Sequence, residues 1–319
     1  MNLLQSDLFI PFYSATYSRK FLTDRYETNQ LAQSKTKSYQ VCSSFMYHLQ
    51  HGQLYFKHAS IVPFELKPIL LFYGYVQLLK ACILTTDPNY PENSQVLAHG
   101  VTTRKRKKST YRFLDDEVKI QKNGLFSHFL DKMFHVKHQE GEKYQMLTLL
   151  RHIADMHPLF SQINKEQISY KGNIVQNQID ISSKVLDSYH MTANRFEQYL
   201  ESNTVGITSG RFKVSEQNGQ LAINLPFSLS LWKSTPWLFN YDGDIHLLKD
   251  KETISSYKLP ELATHFLLLY NLSMICRYEA EWWGDLIHTF DGVDFPFISH
   301  YLTIAEQKIP LIISSYLTE

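Results

Sequence analysis

The sequence predicts an α+β fold: two mainly helical stretches, one toward each end of the chain, with a β-hairpin-containing section between them. Three observations carry this. Ile69, Leu70, Phe72, Tyr73, Val76, Leu79 and Ile83 recur at helical spacing and make one wide apolar face. Leu262–Ile275 repeats leucines and aromatics at three- and four-residue intervals. Between them, Asn218-Gly219 and Asp242-Gly243 each separate two short apolar alternations, the strongest local hairpin signal, because such turns call for positive φ at both residues.

In chain order, residues 1–34 read as an aromatic arm with a short helix near Tyr17–Tyr26. Lys35–Leu54 reads as a helix stopped at His51-Gly52. Pro63–Leu84 is the clearest helix, with Pro63 and Pro68 in or near first turns that tolerate proline. Asp87-Pro88 and Tyr90-Pro91 break it. An irregular connection follows over 87–118, and Tyr111–Ile120 with Asn123-Gly124 suggests a short strand pair. Leu125–Phe134 and Tyr144–Met156 read as helices. The second is expected to end at His157, since a residue before proline avoids helical geometry.

From Glu166 the pattern shifts to strands. Lys213–Glu216 pairs with Gln220–Leu225, and Trp237–Tyr241 with Ile245–Leu248; Thr192–Leu200 is one helix among them. Pro260 restarts helix, and a last helix over Phe297–Lys308 precedes an apolar tail, Pro310–Leu317. The chain thus divides into an arm (1–34), a helical region (35–165) with a basic loop (99–112), a β-containing section (166–257) and a C-terminal helical region (258–319). The last is expected to pack on the first helical region, because neither covers its apolar faces alone.

Composition narrows the function. The 319 residues are 44% hydrophobic and 20% charged, ordinary for a globular protein with a sizeable core. A net charge of +1 provides no global field toward nucleic acid or anionic membrane. Cys42, Cys82 and Cys276 form no CxxC, so they read as free thiols in a reducing compartment. The opening residues carry Asp7 and Pro11 and lack a basic start, unlike a signal peptide. Gln77 and Lys80 interrupt Ile69–Leu84, and His265–Cys276 is too short to span a bilayer. A cytoplasmic protein without a membrane segment is expected. The 12 glycines are scattered and no phosphate-cradling Gly motif occurs, so no cofactor is expected.

Several strings are distinctive. They are Asp7-Leu8-Phe9 with Pro11-Phe12-Tyr13-Ser14, Pro68-Ile69-Leu70-Leu71-Phe72-Tyr73 leading to Lys80-Ala81, and Ala98-His99-Gly100. Leu150-Arg151-His152-Ile153 runs on through His157-Pro158-Leu159-Phe160, and Leu272-Ser273-Met274 precedes Arg277-Tyr278 and Trp282. Together they resemble the YaaC-like family of Firmicutes over nearly the whole chain. Its members are often encoded near IMP dehydrogenase, so the resemblance implies a link to purine nucleotide metabolism. Within it, Pro68–Leu84 and Tyr144–His157 are similar to helices of HEPN domains, a four-helix scaffold of many prokaryotic ribonucleases and toxins. Those enzymes carry Arg, a polar residue, four variable residues and His, a pattern matched by Arg151, His152 and His157.

The HEPN likeness implies a helical bundle, a homodimer and metal-free RNA cleavage. His157 would move the proton, Arg151 would hold the scissile phosphate, and His152 would position it. Nine arginines and 14 histidines produce about one such match by chance. The ordinary alternative is an Arg151–Asp155 ion pair, with His157 capping helix carbonyls. Arg104, Lys105, Arg106, Lys107 and Lys108 form the densest charge run, suited to RNA or nucleotide phosphates, an acidic partner, or plain solvation. His128, His135, His138 and Glu142 lack the completing ligands of a metal motif, so no metal site is expected. Arg277, Tyr278, Trp282 and Trp283 suit helix anchoring or a protein interface. Three functions fit: a non-catalytic regulatory or interaction protein acting on a cytoplasmic enzyme, a HEPN-type ribonuclease, or a nucleotide or RNA binder using 104–108.

Overall fold

The computed structural model describes residues 8–103, 111–137, 140–204, 211–249, 259–290 and 292–319. The fold is α+β and mainly helical. In chain order come α1 (Ala15–Thr28), α2 (Ser34–Ala59), α3 (Lys67–Leu84), β1 (Val101–Thr103), β2 (Glu117–Ile120), α4 (Leu125–Phe129) and β3 (Lys143–Gln145). Next are α5 (Met146–Arg151), α6 (His157–Asn164), β4 (Ser169–Val175), β5 (Gln178–Ser182), α7 (Lys184–Tyr189) and α8 (Ala193–Asn203). Then follow β6 (Lys213–Gln217), β7 (Gln220–Asn224), β8 (Leu238–Phe239), β9 (Ile245–Leu248), α9 (Glu261–Tyr278), α10 (Ala280–Thr289) and α11 (Asp294–Thr318). These form two compact units, residues 1–146 with 265–319, and residues 147–264.

The first unit is built on the pairing of α2 with α3, flanked by α1 and α11. Glycine makes the pairing close. A Cβ on Gly52 would lie 2.5 Å from a Leu78 methyl, and one on Gly74 would lie 2.8 Å from the Tyr55 Cβ. Gly52 therefore does not stop a helix, as its sequence context suggests; α2 runs seven residues beyond it, to Ala59. Buried polar ties join the flanking helices. The Tyr26 hydroxyl donates to the Leu84 carbonyl at 2.6 Å, Arg25 donates to the Tyr316 carbonyl at 2.6 Å, and the Thr85 and Tyr316 hydroxyls meet at 2.7 Å.

Pro310 does not end the last helix. It cannot donate to the Glu306 carbonyl, yet Ile309, Ile312 and Ile313 on either side are all buried, and that burial carries the helix on to Thr318. The helix Lys67–Leu84, with the turn before it, is long and apolar enough to cross a membrane, but most of that stretch is buried within the protein. A small sheet, β1-β2-β3, completes the unit. Thus the expected strand near 117–120 pairs with distant segments rather than with a local neighbour. The Asp87 carboxylate, at the end of α3, takes hydrogen bonds from His128 Nε2 (3.1 Å) and the Asn89 amide (3.1 Å), with Lys132 at 3.5 Å.

The second unit carries a six-stranded antiparallel sheet in the order β6-β7-β5-β4-β9-β8. Both sequence-expected hairpins are present. Asn218 (φ 52°) and Gly219 (φ 76°) close β6–β7 as a two-residue turn with positive φ at both positions. In the β8–β9 turn only Gly243 takes positive φ, at 85°, within a longer loop from Asn240 to Asp244. The β4–β5 hairpin turns through Gln176-Asn177, with Gln176 at φ 56°, and lacks any standard turn signature. The expected helix over 144–156 is broken up: strand β3, short α5, and a 3₁₀ turn at Ala154–Met156. Pro158 then sits in the first turn of α6. Proline there begins a helix instead of closing one.

Two stability predictions follow from these contacts. Overpacking costs about 1–3 kcal/mol, against the about 1 kcal/mol of helix propensity that Ala restores. Gly74→Ala is therefore expected to lower the urea midpoint, whereas Gly284→Ala in α10, with nothing within 4 Å of its Cβ, raises it. For Asp87, burial alone pushes its carboxyl up, but the His128 hydrogen bond, the Lys132 charge and the Asn89 amide pull it below the ordinary value. A depressed carboxylate contributes stability above its unfolded pKa and loses it as pH falls. Asp87→Asn is expected to cost about 1–3 kcal/mol at pH 7, with the deficit shrinking below about pH 4; denaturation curves across pH read this directly.

Candidate functional site

The residues matching the ribonuclease pattern all lie in the second unit. His157 is only 7% exposed. Its Nε2 donates to the Arg151 carbonyl oxygen at 2.9 Å, and its Nδ1 meets the Ser169 hydroxyl at 2.7 Å. Ser169 in turn lies 3.1 Å from His246 Nδ1, so a buried relay links α6 to β4 and β9. The Arg151 guanidinium pairs with Glu166 at 2.8 Å and lies over the Phe160 ring. The alternative partner, Asp155, instead accepts the Tyr241 amide at 2.6 Å. His152 is buried, with Nδ1 on the Thr148 carbonyl at 2.9 Å. Both His157 nitrogens are thus engaged within the fold, and one N–H of the Arg151 guanidinium is engaged by a carboxylate. The three residues join α5, α6 and the sheet. The sequence spacing could not reveal this, because Glu166, Ser169 and His246 lie outside the pattern.

Arg104, Lys105, Arg106, Lys107 and Lys108 lie outside the described residues, as does His138. His128 is used by Asp87, and Glu142 accepts the Tyr144 hydroxyl at 2.7 Å. Among the described residues no three His, Cys, Asp or Glu gather as metal ligands. Of the two tryptophans, Trp283 is buried and Trp282 is half-buried. Trp283, 4% exposed, donates to the Glu65 carbonyl at 3.1 Å and stacks on Phe64. Trp282 donates to the Tyr111 carbonyl at 3.3 Å and meets that ring edge-on. They anchor α10 to the turn before α3 and to the segment before β2. Tyr278 remains 58% exposed.

A cluster that no motif marks lies in the first unit. On α3, Tyr73, Gln77 and Lys80 follow one another at four- and three-residue steps and are half-buried among apolar neighbours. Gln77 Oε1 accepts from His48 Nδ1 of α2 at 2.6 Å. Tyr73 lies beside Tyr55 of α2, their ring centroids 6.4 Å apart. From α9, Arg277 donates to the Tyr73 hydroxyl at 3.2 Å and to the Ser273 carbonyl at 2.9 Å, with its guanidinium carbon 5.3 Å from the Tyr278 ring centroid. His99 sits edge-on to Phe72, Tyr73 and Tyr270. Its backbone is fixed because the Ala98 and His99 carbonyls accept the Leu125 and Phe126 amides. Burial, Arg277 and Lys80 push the His99 imidazole down. Burial, Lys80 and His51 do the same to His48, against the opposing pull of Gln77. Burial alone lowers Lys80. The available sequence signal was the polar stripe Tyr73, Gln77, Lys80 on an otherwise apolar helix.

Fold and sites together define a mainly helical α+β protein with a cationic, tyrosine-rich face on its helical unit. The chain belongs to the YaaC-like protein family, whose model matches residues 10–317. No curated protein and no solved structure matches it. The likeness to HEPN domains finds no support in these matches.

Because His157 bridges two backbone segments, its loss is a stability defect. Each buried group left unpaired costs about 1–3 kcal/mol. His157→Ala is expected to lower the unfolding midpoint, while RNA incubated with EDTA stays intact with parent and variant alike. RNA cleavage by the parent that His157→Ala abolishes would restore the nucleolytic role.

Proposed function

We propose that this protein works by docking rather than by bond-breaking, as a regulatory or interaction protein for a cytoplasmic enzyme. The observation that most supports this is an apolar groove of about 440 Å3 at the end of α2 and the start of α3, lined by Leu54, Tyr55, His58, Ile61, Val62 and Leu70. Leu54 is 52% exposed and Ile61 76%, and contiguous exposed apolar side chains of this kind mark interaction surfaces. An apolar lining of this kind suits the apolar face of a partner helix. The exposed Lys57 and His58 favour acidic residues beside that face. The committed state of Arg151 and His157 supports the non-catalytic half of the reading. The partner class implied by the family's gene neighbourhood is an enzyme of purine nucleotide metabolism, IMP dehydrogenase first.

The test is co-elution of the purified chain with purified IMP dehydrogenase on a sizing column. A stable complex is expected, lost in Leu54→Asp and Ile61→Asp; both are expected to fold, since Ile61 is 76% and Leu54 52% exposed, and circular dichroism of each variant checks this. A complex that tolerates both substitutions, or no complex at all, counts against the groove as its docking surface.

A further inference from the structure

We infer that the face formed by His48, Tyr73, Gln77, Lys80, His99 and Arg277 is a binding site for a nucleotide, a phosphate held by the cations with an aromatic base against the tyrosines. The groups come from α2, α3, α9 and the segment before β1, all within the first unit. Four separate pieces of chain converge on one surface, and the charges acting on its imidazoles are all positive: Lys80, His51 and Arg277.

Lys80 is half-buried and, among the described residues, pairs with no carboxylate, while its ammonium is not one of the atoms sealed from solvent without a partner. Its stem lies along the apolar helix while its head meets water, which leaves a cation with no internal counter-ion at the surface of this cluster, open to an anion from outside. Arg277 is braced by Tyr73, the Ser273 carbonyl and the Met274 sulfur at 3.0 Å, and no carboxylate pairs with it among the described residues. A guanidinium has five N–H donors, so this bracing aims the fork while leaving donors over. That is the arrangement that favours arginine for planar recognition of phosphate.

Beside the cations lie rings with exposed faces. Tyr278 stands out into solvent next to Arg277, and Tyr73 and Tyr55 are half-exposed. Tyrosine faces beside fixed cations are the usual platform for a nucleobase, which stacks while its phosphate is neutralised. The Gln77 amide, oriented by His48, adds a polar group for a sugar hydroxyl or base edge.

The experiment is calorimetric titration of the full chain with AMP, GMP, ATP, inorganic pyrophosphate and adenosine, on the parent and on Lys80→Met and Arg277→Gln. At least one nucleotide is expected to bind with Kd tighter than about 1 mM, pyrophosphate more weakly, and adenosine undetectably. Both variants are expected to weaken the nucleotide at least about tenfold, a loss of about 1.4 kcal/mol. Lys80→Met supplies a second reading: removing a half-buried, unpaired charge should raise Tm in the absence of ligand, by about 2 °C or more, as happens when a residue is kept for function at a cost in stability. No nucleotide binding by the parent, binding that survives Lys80→Met, pyrophosphate binding as tightly as the nucleotides, or a lower Tm for Lys80→Met would each overturn the assignment.

Discussion

The close crossing of α2 and α3 at Gly52 and Gly74 is the constraint on which the apolar groove and the neighbouring cationic cluster depend. With no Cβ at either position, Leu78 and Tyr55 fill the space where those atoms would stand. The crossing sets the register of the two helices. One consequence is the His48–Gln77 hydrogen bond; another is the Tyr55–Tyr73 pair. Tyr55 also lines the apolar groove at the far end of the pair. The groove and the cationic face are therefore built from the same two helices and share a side chain.

The second unit uses similar residue types to a different end. His157, Ser169 and His246 form a buried relay from α6 into β4 and β9, while Arg151 is neutralised by Glu166. Interlinked polar groups of this kind help fix a fold, since a buried donor or acceptor left unmade costs more than a made one contributes. The contrast with the first unit is one of satisfaction: here the cation has its carboxylate, whereas Lys80 and Arg277 have none among the described residues. Residue type alone, an arginine near a histidine, does not separate these cases; their partners do.

Much of the architecture was legible because local physics decided it. The apolar stripe of α3 and the turn dipeptides at 218–219 and 242–243 name their own structures. The failures share one cause, tertiary context overriding local punctuation. Gly52 reads as a stop signal but is an inter-helix contact. Pro158 reads as a terminator but lies in a first turn, and Pro310 is carried through by the burial of Ile309, Ile312 and Ile313. The sheet order was beyond reach because β4 pairs with β9 across some seventy residues. The candidate site was hidden for a similar reason. Lys80 and Gln77 read only as interruptions of an apolar helix, and nothing in the sequence brings His48, His99 and Arg277 beside them.

The central claim is that binding takes place on the α2–α3–α9 face and not around Arg151 and His157. Amide hydrogen exchange of the full chain with and without saturating nucleotide tests it most directly. The account predicts slowed exchange confined to peptides covering 48–55, 73–80, 98–100 and 273–278. Slowing centred on 151–169, or unchanged exchange across those four segments, would contradict it.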